Sequence, residues 1–234
     1  MDETLLLLIN GLHSEYWDGV VMATTYRFTW IPLYVVMAYC ILRSEGWRKG
    51  LLTVIGIALT IVIADQLGAG IIRPLCERLR PTALANPLSQ HLHIVDGYRG
   101  GLYGMPSCHA ANTTGLVAFL ALRYRHTPLL LMMSVWAMIQ MYTRMYLGVH
   151  YPTDILAGIG VGLSAALVSH CLWRVAYRRL YGGTPHRDRL SPSLPVFVAM
   201  AAYVVFLLFL PLLSYKNIRR GVISVVFVVC HLVT

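Results

Sequence analysis

The chain has 234 residues, 57% of them hydrophobic and 12% charged, with a formal net charge of +9. Soluble domains carry about 25% charged residues, so an ordinary soluble domain is excluded, and apolar runs near the roughly 20-residue spanning length recur along the chain. Nucleic acid is excluded as the partner of the positive charge, because that charge is parcelled into short turns: Arg43, Arg48 and Lys49; Arg123, Arg125 and His126; Arg174, Arg178, Arg179, Arg187 and Arg189. These turns alternate with less basic loops, as cytoplasmic turns of a membrane protein do.

In chain order, "MDETLLLLINGL" has Asp2 and Glu3 where a secretory signal would carry Lys or Arg. It reads as an interfacial helix within an N-terminal segment, 1–19. A first span is expected over 20–42, with Arg27 near its outer end. The second is expected over 50–72, where Asp65 and Gln66 are costly in lipid and call for an inward-facing structural hydrogen bond. A polar loop rich in Gly and Pro follows at 73–105. The third helix is expected from Pro106 to Arg123, and the turn "RYRHTP" leads into a fourth over 128–146. The brief loop "LGVHYPT" precedes a fifth over 154–177, in which Gly158 and Gly162 read as a site of close helix packing. A basic linker, 181–194, leads to a sixth span over 195–213. The tail "YKNIRRGVISVVFVVCHLVT" is too short for a comfortable span, and stays open between a seventh span and an interfacial segment. The expected fold class is all-α, a polytopic membrane helix bundle of about six transmembrane helices. Its core is 20–180 and its C-terminal hydrophobic region 195–234.

Cysteines 40, 76, 108, 171 and 230 are scattered and form neither a disulfide framework nor a metal motif, although Cys76 and Cys108 would share one side of the membrane. His91 and His93 lack the partners a metal site needs.

The alternation of loops places 73–105 and 147–153 on the same side, opposite the basic turns. Arg73, Arg80, Ser107, His109, Arg144, His150 and Asp154 then gather where helix ends converge. Guanidiniums hold phosphate oxygens bidentately and never deprotonate. A helix beginning at "PSCH" offers free N–H groups and a positive dipole end, a seat for an anion. Of two imidazoles, the neutral form serves as nucleophile and the protonated form as acid for the leaving oxygen. Asp154, four residues after His150, has the spacing to bond the far ring nitrogen and fix its tautomer. Singly, each residue has an ordinary reading: Arg73 snorkelling beside Glu77, Arg144 as a helix-end anchor, Ser107 as a cap, Asp154 as a first-turn carboxylate, either histidine as packing. Seven such coincidences in order favour a site.

The blocks R-x6-RP (Arg73 to Pro81), PSxH (Pro106 to His109) and (S/T)R-x5-H-x3-D (Thr143 to Asp154) resemble the three-part signature of the type 2 phosphatidic-acid phosphatase superfamily. That resemblance covers roughly 50–177. It implies that His150 is the nucleophile, Asp154 its orienting group, and His109 the proton donor to the departing lipid oxygen. Arg73, Arg80, Ser107 and Arg144 would hold the phosphate, with no metal or other cofactor. Arg73 stands where the family usually has Lys, Thr143 where it usually has Ser, and Cys108 where it usually has Gly. The last substitution matters only if that position needs φ > 0.

The expected activity is metal-independent hydrolysis of a lipid phosphate or diphosphate at the outer face of the cell membrane, the periplasmic or extracellular side. Lipid A or undecaprenyl diphosphate is favoured as substrate. The alternatives are phosphotransfer to an acceptor lipid, and a lipid-phosphate binder or transporter that has lost catalysis.

Overall fold

The computed structural model describes residues 1–209 other than 27, 188 and 192. Arg27, the end of the sixth expected span and the tail with Cys230 therefore lie outside the described residues. The described chain forms nine α-helices, α1 (Asp2–Gly11), α2 (Glu15–Thr25), α3 (Ile31–Glu45), α4 (Trp47–Asp65), α5 (Arg73–Cys76), α6 (Cys108–Arg123), α7 (Thr127–Tyr146), α8 (Pro152–Tyr181) and α9 (Leu194–Phe209). No strand occurs among the described residues; Leu79 and Tyr103 form one isolated antiparallel bridge. The all-α class expected from the sequence is observed. Two helical stretches, Trp47–Cys76 and Pro152–Tyr181, are each 30 residues long and apolar enough to cross a membrane, and Leu194–Phe209 is a shorter apolar helix.

The chain divides into two compact units. One contains Met1–His13 and Leu52–Arg189, the other Ser14–Leu51 with the chain from Leu190 onward. In the second unit, α3 packs with α9 and the indole of Trp30 stacks on Tyr203 with ring centroids 5.5 Å apart. The single span expected over 20–42 is two helices here. After Thr25 the chain turns, the Thr29 hydroxyl donates to the Ala23 carbonyl (2.7 Å), and Trp30 Nε1 donates to the Thr24 carbonyl (2.8 Å). These bonds satisfy carbonyls that end-of-helix geometry leaves open. Pro32, lacking an N–H, suits the first turn of α3. The apolar run conceals this break.

The first unit is built on α6 and α8. A methyl group at Gly158 would run into the Ser107 carbonyl, and one at Gly162 into the Ala111 carbonyl. Only glycine permits this approach, and it brings the start of α8 against the start of α6. The Ser107 N–H then donates to the Asp154 carbonyl at 2.9 Å. The third helix begins at Cys108 rather than Pro106, because the Ser107 side chain caps it by accepting from the Ala110 N–H.

From Gln66 to Ile72 the second long helix widens into a π-helical segment, and the Arg73 N–H bonds the Gly68 carbonyl five residues back. Such widenings redirect the residues that follow and are frequent at functional sites. Here the redirected residue is Arg73. The α1 helix belongs to the same unit and packs with α7 and α8. Its Asn10 side chain donates to the carbonyls of Tyr146 (2.7 Å) and His93 (3.0 Å) and accepts from the His93 N–H (2.8 Å).

Candidate active site

The chain leaves α5 through Glu77 in the left-handed conformation, φ 45°. It then runs extended, the Arg80 N–H donating to Leu102 O and the Gly104 N–H to Arg78 O, both at 2.9 Å. Alternate residues of an extended segment face the same way. Arg78 and Arg80 therefore point together, away from Leu79.

Arg80 is buried, and its Nη1 lies 2.8 Å from His150 Nε2 and 3.0 Å from the Val149 carbonyl. A guanidinium can only donate, so Nε2 is the acceptor and the proton of a neutral ring sits on Nδ1. That nitrogen is 3.4 Å from Asp154 Oδ2. His150 is 1% exposed and Asp154 fully buried. Burial, and after it the charges of Arg80 and Arg144, hold the His150 imidazole well below its ordinary pKa, so it is neutral at neutral pH. His109, in the first turn of α6, and Arg73 act on the same ring. Burial and the neighbouring Arg73 and Arg144 lower Arg80 to about 10. Three guanidiniums crowded this closely against one carboxylate, Asp154, leave an excess of positive charge that favours an anion.

Asp154 is fixed from three sides. Its Oδ2 accepts from the Tyr151 N–H at 3.0 Å. Its Oδ1 accepts from Arg78 Nη1 at 3.0 Å. Gly104 lies so near that a Cβ there would sit 3.0 Å from Oδ2 and 3.2 Å from Arg80 Cγ. Arg78 continues outward to Asp2, at 2.6 Å, and covers the Tyr151 ring at 4.1 Å. Asp2 also accepts from the Thr153 N–H (3.1 Å) and hydroxyl (2.5 Å). A chain of alternating charge, Asp2–Arg78–Asp154, thus ends at the His150 ring.

The remaining groups complete an anion seat. Arg73 Nη2 donates to the Pro106 carbonyl and to Cys108 Sγ, both at 2.9 Å, directly before α6. Arg144, 2% exposed, donates through Nη2 to the Tyr98 hydroxyl at 3.1 Å. Ser107 is fully buried at the α6 cap. The seven residues expected from sequence all lie in the first unit. Arg80, His150 and Asp154 are in direct contact, while Arg73, Arg144 and His109 surround His150 within electrostatic range. Sequence reading missed Arg78, Asp2, Tyr98 and Gly104. The alternation "RLR" could have revealed Arg78; nothing local could have revealed Asp2.

Residues 53–181 match the PAP2 superfamily. The chain belongs to that superfamily. A lipid A 4'-phosphatase of Bacteroides thetaiotaomicron is 41% identical over 185 residues, covering 79% of this chain and 82% of its own. A lipid A 4'-phosphatase of Porphyromonas gingivalis is 29% identical over 177 residues, covering 75% of this chain and 72% of its own. No solved structure matches. This PAP2 member is a phosphatase. Its Cys108, in place of the usual glycine, lies in the first helical turn without positive φ, so the backbone there suits a side chain. Its sulfur faces Arg73, and Cys76 and Cys108 are both free thiols.

Proposed function

We propose that the chain hydrolyses a phosphate ester of lipid A through a phosphohistidine on His150, at the outer face of the membrane it crosses about six times. Two similar proteins carrying the lipid A 4'-phosphatase name over most of this chain's length support the substrate. The alternation of basic turns supports the orientation. The observation that carries the mechanism is the buried His150 ring, with Arg80 bonded at Nε2 and Asp154 Oδ2 3.4 Å from Nδ1, near enough to orient it once Nδ1–H bonds.

The phosphoryl group sits among Arg73, Arg80, Arg144 and the N–H groups of α6. Arg80 turns its N–H from His150 Nε2 to a phosphoryl oxygen as that nitrogen attacks phosphorus. The N–P bond forms, the bond from phosphorus to the sugar oxygen breaks, and His109 gives that oxygen its proton. Asp154 steadies the cationic phosphoimidazole through Nδ1–H. Neutral His109 then takes a proton from water, the water oxygen bonds phosphorus, and the N–P bond breaks. Inorganic phosphate leaves and both histidines return to their starting states. Positioning and charge stabilisation account for most catalysis of phosphoryl transfer, and this site supplies both.

The test is phosphate release from purified lipid A, undecaprenyl diphosphate, phosphatidylglycerophosphate and phosphatidic acid. Release from lipid A in preference to the others, lost in His150→Ala, is expected. Preferred turnover of another lipid would overturn the substrate, and activity of His150→Ala would overturn the mechanism.

A further inference from the structure

At the far end of α6 and α8 lies a second cationic cluster that the phosphatase chemistry does not use. A cavity of about 210 Å³ is lined by Arg123, Arg174, Arg187, His170, His186 and Trp173, and none of its lining residues among those described is acidic. It has room for about seven waters at liquid volume. Arg123 is 5% exposed; its Nη1 donates to the His186 carbonyl at 2.7 Å and its guanidinium covers the Trp173 ring at 5.2 Å. Arg187 donates to the carbonyls of Ala121 and Tyr124. Arg174, Arg123 and Arg187 all act on His170. Trp173 is 3% exposed, and its Nε1–H has no hydrogen-bond acceptor among the described residues.

Charged residues of a basic membrane turn ordinarily reach into water. Here three guanidiniums line one cavity, Arg123 buried and Arg174 and Arg187 exposed. An anion in the cavity would neutralise the cluster and accept from its guanidiniums. From Cys108 to Arg123, α6 rises roughly 24 Å, close to the roughly 30 Å thickness of a hydrocarbon core. The cavity therefore falls near the membrane surface opposite the active site, where basic pockets between helices take lipid headgroups.

We propose that this cavity binds a phosphate-ester anion, in the bilayer the headgroup of an anionic phospholipid. The anion's oxygens accept from Arg174 and from Arg187. Anion binding here does not depend on the substrate assigned to the active site; only the lipid source of the anion draws on the proposed crossing.

The experiment is native mass spectrometry of the full chain in detergent, carrying His150→Ala so that no lipid is turned over. The protein is titrated with phosphatidylglycerol and with phosphatidylcholine, and inorganic phosphate is then added as competitor. Preferential retention of phosphatidylglycerol is expected, weakened about tenfold or more by adding Arg174→Gln and Arg187→Gln, at about 1 kcal/mol for each charge near the surface. Arg178→Gln, a nearby exposed charge outside the cavity lining, should leave retention intact. Displacement by millimolar phosphate would support the anion site and assign it to soluble phosphate; resistance would assign it to the lipid. Equal retention with and without the paired substitutions would overturn the proposal. Unchanged turnover of the paired variant with His150 restored shows that any lost binding is not misfolding.

Discussion

The two ends of the α6–α8 pair carry the same kinds of cation. One end holds Arg73, Arg80 and Arg144 with His109 and His150; the other holds Arg123, Arg174 and Arg187 with His170 and His186. They differ in two ways. The first end has a carboxylate, Asp154, beside its central histidine, and it lies at the start of α6, where N–H groups are open. The second lies at the end of α6, where carbonyls take up guanidinium N–H groups and no described residue lining the cavity is acidic. Cations alone make an anion seat. On the proposed function, the neutral imidazole beside Asp154 is what makes the first end reactive.

The sharpest break of that comparison is His150→Ala, which removes the reactive ring and leaves the cations in place. Phosphate release should fall by about 10⁴-fold or more, while phosphate binding persists. Next come Arg80→Ala and Arg144→Ala, each expected to lower kcat by about 10²–10³-fold, the usual loss for one aimed donor. Similar losses in kcat on replacing Arg174 or Arg187 would erase the distinction between the two ends.

Arg78→Ala tests whether the carboxylate must itself be held. Arg78 bonds Asp154, Asp2 and Thr153 and covers the Tyr151 ring, so it is expected to act through Asp154. About 10-fold loss in kcat with little change in KM is expected, since a misplaced orienting group costs transition-state stabilisation. Arg78→Lys should recover only part of it, because a single ammonium cannot bond Asp154 and Asp2 with the same fork. An effect confined to KM would make Arg78 a substrate contact instead.

A smaller effect is expected in pH dependence. Burial and the surrounding guanidiniums lower the pKa of His150 in the folded state, while the unfolded ring titrates near 6.5. As pH falls below 6.5 the unfolded chain takes up the proton first, so stability declines; above 6.5 the ring is neutral in both states and contributes no slope. Thermal melting of the wild type should therefore drop from pH 7 to pH 5, and the drop should be shallower in His150→Gln. An equal drop in both would contradict the lowered pKa. The smallest effect is that of Arg174→Gln with Arg187→Gln on lipid turnover, expected to stay within about twofold because the cavity lies roughly 24 Å away along α6.

Much of the helical plan was legible because local chemistry marks it. Ser107 and Pro106 announce the start of α6, and Gly158 and Gly162 announce its packing on α8. Arg73, Arg80, Arg144, His150 and Asp154 were legible as one cluster because their order and spacing put them at converging helix ends, and the structure brings them around one buried ring. Arg78 was not, since the spacing that singles out Arg73 and Arg80 passes over it; its role follows from the extended pairing of 78–80 with 102–104. Asp2 was not, because its partners lie 76 and 151 residues away. The break between α2 and α3 was missed because the lone charge at Arg27 reads equally as a blemish within one long apolar run; its signal is the side-chain bonds of Thr29 and Trp30.

The most direct measurement is rapid quench in alkaline detergent of the enzyme turning over lipid A labelled in its phosphate group, followed by peptide mapping of the trapped phosphoenzyme at alkaline pH. Alkali-stable, acid-labile label on the peptide containing His150, absent from His150→Ala, is the expected result. Label on Cys108 or Ser107, or steady turnover with no trapped phosphoenzyme at any quench time, would contradict it.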